Sequence, residues 1–316
     1  MNDLQKLIVL IGPTAVGKTD TSIYLAKRFN GEIISGDSMQ IYKGMDIGTA
    51  KISKEEMEGI PHHLIDIKNP DEPFSVAEFQ KLVREKIAEI HNRNAIPMIV
   101  GGTGLYIQSV LYDYRFSDDI GNAEIRNKLE QRANLEGNMV LYEELTRIDP
   151  ESAKKIHPNN IRRVIRALEI FYCTGKTASD YQKQQKPNLQ YNAALIGLTM
   201  DREKLYSRIN KRVDLMVENG LIDEVKRLYD RNLRDVQSIQ AIGYKELYAY
   251  LDGKISLPEA IELLKQNSRN YAKRQLTWFR NKMDVNWFDV TENSERAKKI
   301  VEISNFIAGK LHVKIE

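Results

Sequence analysis

Residues 7–19 read Leu7-Ile8-Val9-Leu10-Ile11-Gly12-Pro13-Thr14-Ala15-Val16-Gly17-Lys18-Thr19. The apolar run 7–11 predicts a buried strand, and Asp20 to Arg28 has the periodicity of a helix. Between them lies G-x-x-x-x-G-K-[ST], in the strand–loop–helix context that a phosphate loop needs. Gly12 and Gly17 let the backbone curl so that successive N–H groups of the loop Gly12-Pro13-Thr14-Ala15-Val16-Gly17, proline excepted, converge on phosphate oxygens. Lys18 adds a point charge, Thr19 offers a hydroxyl to Mg2+, and the following helix N-terminus favours the same anion. The competing reading is a glycine turn with no ligand. Strand context favours a grip on a phosphate or diphosphate.

Working outward, the same rhythm repeats. Gly31 to Ser35 predicts a strand that ends in Gly36-Asp37-Ser38, and Ala95 to Val100 predicts another, closed by Gly101-Gly102-Thr103-Gly104. Between them Ser75-Val76-Ala77-Glu78 is a capping box opening a helix to about His91, with Phe79, Leu82, Val83, Ile87 and Ile90 on one face. This alternation predicts an α/β fold, a P-loop NTPase-like parallel sheet flanked by helices on both faces. Ligands of such sheets lie at the carboxyl ends of the strands. The loops 12–19, 36–40 and 101–104 all follow strands there and are expected to share one site.

From about Ser117 the character changes. Residues 117–185 look helical, with Ile125, Leu129 and Ala133 on one face and Val164, Ile165, Leu168 and Ile170 in a later helix. A strand returns at Ala193 to Leu198. Asp180 to Tyr191, rich in Gln, Lys and Pro, reads as a linker or mobile loop. The expected organisation is a catalytic core of 1–116 with 193–316, carrying an inserted all-helical domain, 117–192. After the returning strand come helices over Arg202–Asn219 and Leu221–Arg231 and a last long helix, opened by the capping box Ser256-Leu257-Pro258-Glu259.

Composition sets bounds. The chain has 316 residues, 42% of them hydrophobic and 29% charged, as in ordinary soluble proteins. No apolar stretch approaches the ~20 residues of a membrane span, and Met1-Asn2-Asp3-Leu4 lacks a signal-peptide profile. Cys173 is the only cysteine, which excludes an intrachain disulfide and a cysteine zinc site. A cytoplasmic protein is expected. The net charge of +3 is too small to imply nucleic-acid binding by itself.

Its distribution says more. Between Glu262 and Asp284 there is no acidic residue, and six basic ones lie there. At ~100° per residue Lys265, Arg269, Lys273 and Arg280 share one face, with Leu264, Tyr271 and Trp278 on another. A solvated basic face is the bland reading; a polyanion, bound by counterion release, is the functional one. Arg162, Arg163 and Arg166 make a second cluster in the helical block, so the two patches together suggest a partner long enough to touch both.

Asp37 follows its strand directly and suits a general base beside the phosphate loop; capping of a following helix by Asp37 or Ser38 explains the same residues equally well. The strand 96–100 ends in Gly101-Gly102-Thr103-Gly104, where hydrolytic P-loop enzymes usually carry a magnesium-holding Asp. Thr103 therefore reads as a hydroxyl near an oxygen or bridging phosphate, or as part of a plain turn. The missing acid favours a transferase over an ATPase. His62 and His63 are adjacent and point opposite ways on an extended chain, which argues against a metal pair.

Longer segments carry a resemblance. Gly12 to Thr19, Gly36-Asp37-Ser38-Met39-Gln40-Ile41-Tyr42, Met45-Asp46-Ile47-Gly48-Thr49-Ala50-Lys51 and Pro61-His62-His63-Leu64-Ile65-Asp66 occur in order. They are followed by Gly101 to Tyr106, Arg166-Ala167-Leu168-Glu169, Gly243-Tyr244 and Lys273-Arg274-Gln275-Leu276-Thr277-Trp278-Phe279-Arg280. The chain resembles the bacterial tRNA isopentenyltransferase (tRNA dimethylallyltransferase) family over almost its whole length. The resemblance implies transfer of a dimethylallyl group from dimethylallyl diphosphate to N6 of the adenosine just 3′ of the anticodon, with Mg2+ at Thr19, by a monomeric enzyme. It implies Asp37 as base, with Lys18 and Thr103 as further catalytic residues. Diphosphate would be held by residues 12–19, and Arg208 and Arg212 are further candidates for it. It also implies tRNA contacts by Asp37, Ser38, Met39, Gln40 and Thr103, and by Ile239, Gln240, Ala241, Ile242, Gly243 and Tyr244. Lys273, Arg274, Gln275, Trp278 and Arg280 belong to the same set, with Arg126, Arg162, Arg163 and Arg166 of the helical block gripping the anticodon stem-loop. Three rivals stay open: an adenine-nucleotide prenyltransferase, a P-loop small-molecule kinase and a non-catalytic RNA-binding module.

Overall fold

The run Leu7–Ile11 lies in strand β1 (Lys6–Ile11), and none of its five side chains has any solvent exposure. Burial on both faces is what an apolar run without polar alternation demands, and each such side chain contributes ~1.5–3 kcal/mol. A computed structural model describes residues 4–112, 114, 122–184 and 189–315. The first part of the chain continues with α1 (Lys18–Arg28), β2 (Gly31–Gly36), β3 (His62–His63), α2 (Val76–Asn92), β4 (Ile96–Gly101) and α3 (Gly104–Leu111). A helical stretch follows: α4 (Ala123–Glu136), α5 (Asn138–Ile148), α6 (Pro150–Ala153), α7 (Ile161–Thr174) and α8 (Ala178–Gln184). Then come β5 (Asn192–Thr199), α9 (Arg202–Glu218), α10 (Leu221–Asp230), α11 (Tyr244–Leu251), α12 (Leu257–Lys282), β6 (Asn286–Asp289) and α13 (Arg296–Leu311).

The sheet runs β3-β2-β4-β1-β5-β6 with every pairing parallel. Gly36 pairs with Gly101 and Ile11 with both Gly101 and Gly197, so the carboxyl ends of β2, β4 and β1 finish level while β5 runs on to Thr199. That register delivers the loops 12–19, 36–40 and 101–104 to one edge. Ile8 and Leu10 join a core with Leu25, Ala26 and Phe29 of α1 and Ile303, Ile307 and Leu311 of α13. Leu7, Val9 and Ile11, pointing the other way, are equally buried.

Two elements escape the sequence reading, which ends in one long helix. Strand β6 is a four-residue edge strand with exposed ends, too short for a periodic signal, and α13 packs on β1, β5 and β6. Helix caps are instructive as well. Both halves of the Ser256–Glu259 box form, with the Glu259 carboxylate accepting the Ser256 N–H at 2.7 Å. At α2 only the Ser75 half forms; Glu78 turns instead to Lys68, 2.8 Å away.

The chain divides into two compact units, Met1–Leu111 with Leu189–Glu316, and Tyr112–Asn188. The smaller unit has its own core of Leu129, Ala133, Leu141, Leu145, Val164, Ile165 and Leu168. Residue 117, where the sequence reading begins the insertion, lies outside the described residues, as do 185–188 of the expected linker. The start of that linker is corrected: 178–184 is helical, with Thr177 Oγ1 accepting the Asp180 N–H at its first turn. Among the described residues, no helix is long and apolar enough to cross a membrane.

Candidate active site

The phosphate loop is bent by its backbone: Ala15 (φ 63°) and Gly17 (φ 103°) both take the left-handed conformation. Lys18 folds back so that Nζ donates to the carbonyls of Gly12 (3.0 Å) and Pro13 (2.8 Å). Loss of water around it, and then the positive charge of Arg212, push Lys18 down to about 7; Asp37 opposes this. Arg212, on α9, donates to Thr14 Oγ1 at 3.3 Å.

Loops 36–40 and 101–104 are stapled together. The Thr103 N–H donates to Gly36 O (3.3 Å), and Thr103 Oγ1 accepts the Ser38 N–H (3.2 Å). A Cβ on Gly101 would fall 2.4 Å from the Gly36 carbonyl, and one on Gly102 would fall 2.0 Å from Gln275 Nε2. Only glycine permits these approaches. Gln275, buried on α12, then ties the second staple: its Oε1 accepts the Thr14 N–H and its Nε2 donates to Gly102 O, both at 3.0 Å.

Asp37 Oδ1 accepts the Met39 N–H at 2.8 Å, a local turn; no helix follows, so the helix-capping alternative fails. Burial pushes the Asp37 carboxyl up, while the Met39 bond and the charges of Lys18 and Arg212 partly restrain it. A raised carboxylate beside cations, in a cleft, is a stronger base than an exposed Asp.

Two cavities meet at these residues. The larger, about 850 Å³, is lined by the phosphate loop, Asp37, Gly102, Arg208 and Arg212. The smaller, about 330 Å³, is lined by Ser38, Met39, Ile209, Val213, Gln240 and Ile242. Thr14, Asp37, Arg212 and Tyr271 line both. Thr19 lines the larger cavity. Among the described residues no group of three His, Cys, Asp or Glu side chains could hold a metal. Thr19, the hydroxyl that a phosphate loop offers to Mg2+, is the residue of this cavity that fits the ion.

The other predicted residues are placed unevenly. Lys273, Arg274 and Arg280 are exposed on α12, but Lys265 pairs with Asp214 (2.8 Å) and Arg269 donates to Asn210 (2.6 Å), both on α9. The single basic face is thus corrected: helix packing consumes its first half. Trp278 is half-buried against Gly104. Of residues 239–244, Ile239, Ala241, Gly243 and Tyr244 are buried, leaving Gln240 and Ile242 accessible. In the helical unit Arg162 and Arg163 are exposed, whereas Arg126 (2.9 Å) and Arg166 (2.8 Å) both pair with the fully buried Glu169. His62 Nδ1 lies 2.8 Å from Ile60 O and His63 Nε2 lies 2.6 Å from Glu32, so the pair does separate as the extended chain requires.

Sequence reasoning assigned no role to Tyr271 in the site, nor to segment 46–51, which lines the larger cavity. The motif Asp46-Ile47-Gly48-Thr49-Ala50-Lys51 was visible, yet its role depends on contacts 170 and more residues away. Lys51, nearly buried, donates to Tyr42 O (2.8 Å), Asp46 (2.5 Å) and Asp66 (2.6 Å).

A parallel-sheet P-loop core whose half-buried Asp37 faces two adjoining cavities suits a group transferase, and the relatives of the chain are transferases. A family profile described as IPP transferase matches residues 40–282, and the chain belongs to that family. It is 65% identical over 308 residues to the tRNA dimethylallyltransferase of Anoxybacillus flavithermus, covering 98% of each chain. It is 64% identical to the enzyme of the same name from Bacillus subtilis, covering 99% of each. Among solved structures it resembles a full-length tRNA isopentenylpyrophosphate transferase from Bacillus halodurans, with a TM-score of 0.74 at 59% identity over 98% of this chain and 97% of that one. It also resembles a eukaryotic dimethylallyltransferase acting on tRNA, with a TM-score of 0.85 at 35% identity, covering 99% of this chain and 81% of that one.

Proposed function

We propose that the chain transfers the dimethylallyl group of dimethylallyl diphosphate to N6 of the adenosine 3′-adjacent to the anticodon in tRNA, releasing diphosphate. The observation that carries this reading is the pair of cavities sharing Asp37: a phosphate-gripping one for the donor and a second for an incoming base. The names of the relatives support the same donor group and acceptor.

The bond that breaks joins the allylic carbon to a diphosphate oxygen, and its electron pair leaves with diphosphate. An allylic carbon can spread positive charge, so stabilising the leaving group is the larger task. Lys18, Arg208, Arg212 and the N–H groups of Ala15, Val16 and Gly17 meet it. Thr19 would hold Mg2+, which when bound would add neutralisation of that charge. The N6 lone pair forms the new C–N bond, and Asp37 accepts the proton that nitrogen loses. Thr103 fixes the loop of Asp37 through Ser38.

The target base must leave its stack to enter the smaller cavity. Ser38, Met39, Gln40, Gln240 and Ile242 are assigned to receive it, while Lys273, Arg274 and Arg280 meet phosphates. Gln275 and Trp278 are assigned a supporting role behind that surface. The helical unit, expected at 117–192, grips the anticodon stem through Arg162 and Arg163, with Arg126 and Arg166 dividing their charge between Glu169 and RNA. A monomer acting in the cytoplasm, where tRNA-modifying enzymes such as the named relatives meet their acceptor, completes the reading. Nucleoside analysis of tRNA from cells lacking this protein tests the reading. Loss of N6-dimethylallyladenosine is expected, and its undiminished presence would overturn it.

A further inference from the structure

Glu224 of α10 is 1% exposed and has no cation partner among the described contacts. Its carboxylate instead accepts four bonds. Oε2 takes the N–H groups of Asp46 (2.9 Å) and Ile47 (2.8 Å); Oε1 takes the Gly48 N–H (2.9 Å) and the Tyr244 hydroxyl (2.6 Å). Three successive amides converging on one anion form a nest, normally a binding site for a ligand; here the protein supplies the anion itself. Four donors require a group that only accepts, which a carboxylate is and an amide is not.

The segment so held is part of the site. Asp46, Ile47, Thr49 and Ala50 line the larger cavity, and Gly48, Thr49 and Ala50 line the smaller. The carbonyls of Thr49 and Ala50 each accept from Gln40 Nε2 (3.3 Å), three residues beyond Asp37. On the other side Tyr244 opens α11 directly after Gln240 and Ile242, which line the smaller cavity. The fit is close: a Cβ on Gly48 would lie 2.6 Å from the Tyr244 ring. Glu224 therefore joins the wall shared by the two cavities to the acceptor-side segment, while none of its bonds touches the phosphate loop.

We propose that Glu224 is a positioning residue for group transfer: by clamping the amides of 46–48 to Tyr244 it sets the wall between the two cavities beside Asp37, while the phosphate loop, with which it makes no bond, keeps its own hold on diphosphate. This rests on the function proposed above. Glu224→Gln keeps the shape and places an amide donor against N–H donors. In the full chain three quantities are to be compared with wild type, below the melting range: amide exchange at 46–48, affinity for inorganic diphosphate, and kcat and KM with an anticodon stem-loop at saturating dimethylallyl diphosphate. Exchange at 46–48 should speed at least about tenfold while β1 amides stay protected, and diphosphate affinity should hold within about threefold. The kcat should fall about 100-fold, the scale of an ångström-sized misplacement. Tyr244→Phe, which removes one of the four bonds, should move the same quantities in the same direction by about tenfold in kcat, and it carries the test if Glu224→Gln does not fold. Unchanged exchange at 46–48, a kcat within threefold of wild type, or equal losses of kcat and diphosphate affinity would each overturn the proposal. If wild type itself left the stem-loop unmodified, the functional reading would fail, and the exchange and diphosphate measurements alone would still judge the clamp.

Discussion

Asp37 and Lys18 bear opposite charges in one cleft, and desolvation pushes each toward its neutral form. Two predictions follow at the scale of single side chains. Replacing Asp37 by Asn should lower the transfer kcat by ~10²–10⁴, the range of general-base catalysis, with stem-loop affinity unchanged within about threefold. Because the base must be ionised and burial raises its pKa, the wild-type rate should fall on the acid side at a pH above that of an ordinary Asp, ~3.9. A rate–pH profile that stays flat down to pH ~4 would contradict this. Lys18 answers to the opposite sign. Pushed down to about 7, it is part-neutral in the free protein above that pH, and an arriving anion favours its charged form. Diphosphate binding near pH 8 should therefore take up more protons in wild type than in Lys18→Met, measured as the buffer dependence of the binding enthalpy. Equal uptake would contradict the assignment.

At the scale of elements, the site is assembled by strand ends and one helix. The convergence of the loops after β1, β2 and β4 was legible in the sequence because each strand is closed by a glycine-bearing loop, and the structure brings the three together. What was not legible were contacts distant in the chain that no local pattern encodes. The resemblance places Gln275 among the tRNA contacts, yet it accepts the N–H of Thr14, 261 residues away. Likewise Lys265 and Arg269 show basic periodicity but meet α9, a packing choice that periodicity cannot reveal. Replacing Gln275 by Leu leaves the Thr14 N–H and the Gly102 carbonyl without their buried partner, at about 1–3 kcal/mol of stability. Diphosphate affinity should also fall, since the phosphate loop loses its tie to β4. Thermal unfolding and calorimetric binding check both, and an unchanged diphosphate affinity would show that the tie is dispensable.

At the scale of the whole molecule, a net charge of +3 conceals a division of labour. Buried Glu169, together with Asp214 and Asn210 on α9, occupies several of the arginines and lysines that the sequence offers to RNA, while Arg162, Arg163, Lys273, Arg274 and Arg280 are exposed. If those meet phosphates, stem-loop affinity should fall steeply with salt, and Arg162→Ala with Arg163→Ala should together reduce the slope by about 2, one per lost phosphate contact. Unchanged slopes would remove the helical unit from the interface. In the mechanism proposed above, a prenyl group passes directly from a diphosphate in one cavity to an RNA base in the other, while Asp37, which lines both, takes the proton. The direct measurement incubates the protein with labelled dimethylallyl diphosphate and Mg2+, offering either an anticodon stem-loop or AMP. Label is predicted on N6 of the adenosine 3′ to the anticodon, with diphosphate released in equal amount and AMP almost untouched. Efficient labelling of AMP, or an unlabelled stem-loop, would contradict the account.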